Sequence, residues 1–108
     1  MTIYDKKENI ILSICIPTYN RKQEVFDNLK NIESLINKHD NLIELLVGNN
    51  GSTDNTNLIL KKFNNIKIIN LMENNGINPI LLGLAKLAKG KFIWLLGDDD
   101  FMAADIIE

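Results

Sequence analysis

The chain has 108 residues, 45% of them hydrophobic and 24% charged, with a formal net charge of −2. This is the composition of one folded domain, expected to span 1–108; it argues against intrinsic disorder and gives no electrostatic reason for nucleic-acid binding, which relies on clustered Lys and Arg. The single cysteine, Cys15, excludes an internal disulfide and reads as a small core residue within an apolar run.

Met1 to Asn9 lacks the apolar centre of a signal peptide. The longest apolar runs fall well short of the ~20 residues that cross a membrane. A cytoplasmic location is expected. Ile10 to Ile16 is a β-branched-rich run closed by Pro17, which predicts a strand buried on both faces. From Lys22 to Lys38, residues Val25, Phe26, Leu29, Ile32 and Ile36 fall on one helical face. His39 follows as a surface residue at the helix C-terminus. Leu42 to Val47 predicts a second strand, stopped by the turn cluster Gly48-Asn49-Asn50-Gly51. Ser52 or Asp54 then caps a short helix that turns Leu58, Ile59 and Phe63 inward. Ile66 to Leu71 is a third strand. Asn78-Pro79 supplies a cap and a first-turn proline, Ile80, Leu81, Leu84 and Leu87 the buried face, and Gly90 the stop of another helix. Phe92 to Leu96 predicts a fourth buried strand, with Trp94 in the core.

Strands alternating with helices predict an α/β fold: an open, mainly parallel sheet with helices on both faces. Ligands of such sheets bind beyond the carboxyl ends of the strands, where strand order reverses. Polar clusters follow every predicted strand: Thr18 to Arg21, Asn49 to Asp54, Asn74 to Gly76, and Asp98 to Asp100. The architecture therefore gathers them on one rim.

Asp98, Asp99 and Asp100 crowd like charges at a strand end, which raises their pKa values unless a cation lies between them. A divalent ion holding phosphates explains the cluster better than a solvated acidic turn does, because Mg²⁺ and Mn²⁺ take oxygen ligands and retain substrate phosphates. Gly97 lets the backbone bend into this loop. Pro17-Thr18-Tyr19-Asn20-Arg21 can stack on or hydrogen-bond a nucleobase and reach a phosphate. Equally, Asn20 can cap the following helix. Asn49 offers donor and acceptor to a base or ribose, or belongs to a plain strand-to-helix turn. No GxGxxG follows the first strand and no GxxxxGK[ST] occurs, which removes the dinucleotide and P-loop readings.

Taken in order, Ser13 to Arg21, Glu44 to Val47 leading into Asn50-Gly51-Ser52-Thr53-Asp54-Asn55-Thr56, Asn74-Asn75-Gly76, Ala88 to Ile93, and Leu95 to Asp100 resemble the family 2 glycosyltransferases. The resemblance implies the GT-A fold, with its Rossmann-like nucleotide-binding half truncated after the fourth strand. It further implies a nucleotide-sugar donor, commonly a UDP-sugar, and a Mn²⁺ or Mg²⁺ cofactor. On the positions of this chain, Pro17, Thr18, Tyr19, Asn20 and Asn49 would contact the nucleoside, Asp98 the ribose and sugar side, and Asp99 and Asp100 the metal. Asn49 and Asn50 stand where the family more often has an acidic pair, Gly97 stands where many relatives begin their Asp-x-Asp, and Ile80-Leu81-Leu82 replaces a frequent basic residue.

The resemblance also implies a longer protein. Its second half would bring the glycan or lipid-linked acceptor site and the catalytic base of an inverting enzyme, beyond Glu108. The fragment is then inactive alone, the whole protein open to membrane association, and the cut sheet edge prone to self-association. A competing reading is a non-catalytic, Mg²⁺-binding regulatory or assembly module on a doubly wound fold. It leaves the Thr-Tyr-Asn and Asn-Gly-Ser-Thr-Asp loops unused.

Overall fold

The computed structural model describes residues 10–39, 42–74 and 76–98, apart from the side chain of Leu35. Its elements run β1 (Leu12–Thr18), α1 (Lys22–Lys38), β2 (Ile43–Asn50), α2 (Thr56–Leu60), β3 (Ile66–Leu71), α3 (Ile77–Leu87) and β4 (Phe92–Leu95). The four strands form one sheet in the order β3-β2-β1-β4, and each adjacent pair is parallel. The α/β expectation is met, and the helices lie on both faces.

Alternation along the strands divides the core. Ile14, Ile16, Leu45 and Val47 pack with Val25, Leu29, Ile32 and Ile36 of α1 and with Leu60 and Phe63. On the opposite face Cys15 and Leu46 meet Ile80 and Leu84 of α3. Gly48 permits that approach: a Cβ there would lie 2.5 Å from Ile80 Cγ1.

Beneath α3, Glu44 is 8% exposed. It accepts hydrogen bonds from Ser13 Oγ (2.6 Å), the Lys89 N–H (2.6 Å) and Lys67 Nζ (2.8 Å). Burial pushes the Glu44 carboxyl up, but these donors outweigh it and hold the group below its ordinary value. The Gly90 N–H donates to the same Ser13 Oγ at 2.8 Å. This network pins the α3–β4 connection to the sheet.

Several expectations need correction. β1 and β2 run past Pro17 and Gly48, because the register carries pairing on to Thr18↔Asn49 and Asn50↔Leu71. β4 is not a buried strand. It is an edge among the described residues, leaving Phe92 66%, Ile93 46% and Leu95 54% exposed, while Trp94 is half-buried against the α1-side core. Leu58 faces outward; Thr56 and Leu60 are the buried residues of α2. In α3 the buried residues are Ile80 and Leu84. Gly76 occupies its N-cap position and Ala88 its C-cap, so Asn78 and Pro79 lie inside the first turn, where a missing N–H costs no helical bond. Gly90 serves close approach instead, since a Cβ there would lie 2.7 Å from Ser13 N and Oγ. His39 is the C-cap of α1, half-buried and not on the open surface. Among the described residues no helix is long and apolar enough to cross a membrane.

Candidate functional site

Strand order fixes where the site lies. The chain adds β2 and β3 to one side of β1 and then places β4 on the other. The crevice of such a sheet opens where those directions diverge, at the carboxyl ends of β1 and β4. Thr18 ends β1, and Asp98 follows β4. Thr18 Oγ1 donates to Asp98 Oδ2 at 2.9 Å across this divergence. Both are buried, at 3% and 9% exposure. Arg21 Nη1 stands 3.8 Å from Asp98 Oδ1 with half its side chain in solvent.

Pairing register brings the next residues alongside. Thr18 lies beside Asn49, and Asn49 beside Asn70. Asn49 Nδ2 donates to Asn70 Oδ1 at 3.0 Å, while Asn49 Oδ1 is buried with no hydrogen-bond partner among the described residues. The oxygen is therefore the unmatched half of the amide, and it is buried. Asn50, on the other face, donates through Nδ2 to Asn74 Oδ1 (3.2 Å) and Gly76 O (3.0 Å). It ties the β2 and β3 loops together.

The first two loops are also tied. Asn20 takes a positive φ of 52°. Its Oδ1 accepts from the Thr53 N–H at 2.7 Å, and its own N–H donates to Ser52 Oγ at 3.0 Å. The expected helix-capping role of Asn20 is therefore replaced by a loop-to-loop bridge: Arg21 holds the N-cap position of α1 and makes no side-chain cap. Asp54 takes the capping work at both helices. Its carboxylate accepts from the Lys22 N–H at 3.1 Å, from the Thr56 N–H at 3.2 Å and from the Thr56 hydroxyl. Partial burial pushes the Asp54 carboxyl up, and these hydrogen bonds bring it below its ordinary value. A carboxylate at two helix N-termini also suits their dipoles.

The loops after all four strands are thus cross-linked at one end of the sheet. Thr18, Asn20, Asn49 and Asp98 come together there; Pro17 is the penultimate residue of β1, and Tyr19 is exposed on the rim. Asp99 and Asp100, the expected metal ligands, lie outside the described residues. Among the described residues no group of three or more His, Cys, Asp and Glu is arranged to hold a metal. Sequence reasoning passed over Asn28, whose Nδ2 reaches Gly97 O and Asp98 O from α1. Its signal was an amide on the apolar stripe between Val25 and Ile32.

A family model described as Glycosyl transferase family 2 matches residues 13–108. The abequosyltransferase RfbV of Salmonella typhimurium is 33% identical over 101 residues, a match covering 89% of this chain and 30% of that protein. Chondroitin synthase of Escherichia coli is 30% identical over 118 residues, covering 97% of this chain and 17% of the relative. The chain therefore spans only a third or less of these relatives. Among solved structures, the mannosyltransferase PcManGT of Pyrobaculum calidifontis, in complex with GDP-Man and Mn²⁺, aligns with a TM-score of 0.80 at 21% identity, over 89% of this chain and 30% of that one. TarS of S. aureus in complex with UDP-GlcNAc aligns with a TM-score of 0.76 at 23% identity, over 91% and 29%.

Proposed function

We propose, from the premise that this chain belongs to glycosyl transferase family 2, that residues 1–108 are the donor-binding portion of a longer glycosyltransferase. The donor is a nucleoside-diphosphate sugar, with UDP-sugars the first class to test. Its acceptor, a glycan or lipid-linked sugar, and the base of an inverting reaction belong to sequence beyond Glu108. The fragment alone transfers no sugar.

One observation carries this reading: Thr18 meets Asp98 where strand order diverges, with two further loop ties around them. Tyr19 offers a ring for a base, the Asn49 Oδ1 an acceptor for a base N–H or ribose hydroxyl, and Arg21 a cation for phosphate. Neighbours of the same fold solved with UDP-GlcNAc, and with GDP-Man and Mn²⁺, support a nucleotide-sugar ligand and a divalent ion. The acidic run offers only oxygen donors, which suits Mn²⁺ or Mg²⁺. Asp99 and Asp100 are the ligands the family resemblance implies, with Asp98 held by Thr18 and Arg21 beside them. When bound, the ion would offset charge on the diphosphate.

Calorimetric titration with UDP and GDP, with and without Mn²⁺, tests the proposal. The expected result is metal-dependent nucleotide binding that is lost in Asp99→Ala. A chain that binds neither nucleotide under any metal condition overturns it.

A further inference from the structure

We infer that Asn28 is a positioning residue that sets the direction in which the acidic turn leaves the sheet. It lies one turn after Val25 and one turn before Ile32, on the stripe of α1 that otherwise buries Val25, Leu29, Ile32 and Ile36. Its exposure is 0%. An amide in such a place costs stability unless its polar atoms are met, and a leucine would suit the stripe better. Only half of the amide is met: Oδ1 has no hydrogen-bond partner among the described residues. The other half, Nδ2, donates to Gly97 O at 3.2 Å and to Asp98 O at 3.4 Å.

Those two carbonyls belong to the peptide planes on either side of the Asp98 Cα. Peptide planes are rigid, so orienting both fixes φ and ψ between them. Asn28 thereby restrains where the Asp98 side chain points and the heading at which the chain leaves Asp98. The handover is sharp. The Leu96 N–H still donates to Cys15 O at 2.9 Å in the sheet, and the following two carbonyls turn to α1. Thr18 holds the carboxylate of Asp98 while Asn28 holds its backbone, so the turn is clamped from two elements. The consequence for metal rests on the donor-site reading above; the clamp on the backbone does not.

Asn28→Leu separates this role from packing. It fills the stripe and removes the unmatched Oδ1 but takes a donor from Gly97 O and Asp98 O, so the chain should stay folded, with a cooperative thermal transition as the check. Affinity for UDP in the presence of Mn²⁺ should fall about tenfold or more, with metal-free UDP binding little changed. Asn28→Ala, which deletes the donor without adding bulk, should show the same loss of metal dependence. Wild-type metal dependence in either folded variant overturns the inference. Should the wild-type chain show no metal-dependent binding, the metal part of the donor-site reading fails, and carbonyl carbon NMR shifts decide the clamp independently. The Gly97 and Asp98 carbonyl shifts should then move in Asn28→Leu, with those of β1 unchanged; unmoved shifts overturn it.

Discussion

Thr18 and Asp98, 80 positions apart, share a hydrogen bond of 2.9 Å at the point where β1 and β4 part from the sheet. Neither residue is near the other in any local element, and only the β3-β2-β1-β4 order makes them neighbours. Thr18→Val keeps the branched shape and deletes the hydroxyl. It should destabilise the chain by ~1–3 kcal/mol, because a buried carboxylate loses a donor, and should weaken nucleotide binding as well. Urea denaturation beside UDP titration measures both; a variant as stable as wild type removes the importance given to this bond.

Glu44 sets an acid limit. Its folded pKa is held below the ordinary value by Lys67, Lys89 and Ser13 despite burial. A depressed carboxylate contributes stability above its unfolded pKa of ~4.3, and that contribution disappears as pH falls through the folded value. Glu44→Gln should lower stability at pH 7 and flatten the loss between about pH 5 and pH 3. Denaturation midpoints across that range supply the check, and parallel curves for the two chains would contradict it.

Gly48→Ala should cost about 1–3 kcal/mol by overpacking against α3. The added Cβ would sit 2.5 Å from Ile80 Cγ1. Combining it with Ile80→Ala should cost less than the sum of the single changes, because the second removes the obstacle met by the first. An additive double mutant would place the strain elsewhere.

Cys15 should be inert in the native chain. Burial, then the charge of Glu44, pushes its thiol up to about 11. At pH 8 a thiol-specific reagent should react on the order of 100-fold more slowly than with a free cysteine. Added urea should restore the rate. Fast labelling without denaturant would mean that the strand opens readily.

β4 carries exposed Phe92, Ile93 and Leu95 on the outer strand of the described sheet. Unpaired strand edges with apolar side chains recruit other chains. Sedimentation should show association growing with concentration, and Leu95→Lys should reduce it. A monomer at millimolar concentration would contradict this.

Much of this architecture was legible from residue patterns. α1 and β3 have the bounds their apolar periodicity predicts, since Val25 to Ile36 and Ile66 to Leu71 carry clean helical and strand signals. Pro17 and Gly48 misled because breakers were judged locally. Cys15 and Ile11 turn their carbonyls to β4, and Pro17 shares that orientation; β4 ends at Leu95, opposite Cys15, so the missing N–H costs no ladder bond. Gly48 sits in a strand flanked on both sides, and its small size serves a helix distant in sequence. Loop convergence could be inferred from strand ends alone. Which amide meets which loop could not, because Asn20–Thr53 and Asn28–Asp98 depend on the final packing of α1.

The placement of β4 also orders events during synthesis. β1, β2 and β3 can pair as soon as they emerge, each joined to a neighbour by one helical crossover. The outer strand must return across the whole preceding chain to find β1, and such distant pairings form slowly. A chain that has released residues only as far as Lys91 could pair at most β1, β2 and β3, and it lacks Asp98 altogether. Ligand capture then marks the completion of this unit and cannot assist its earlier steps.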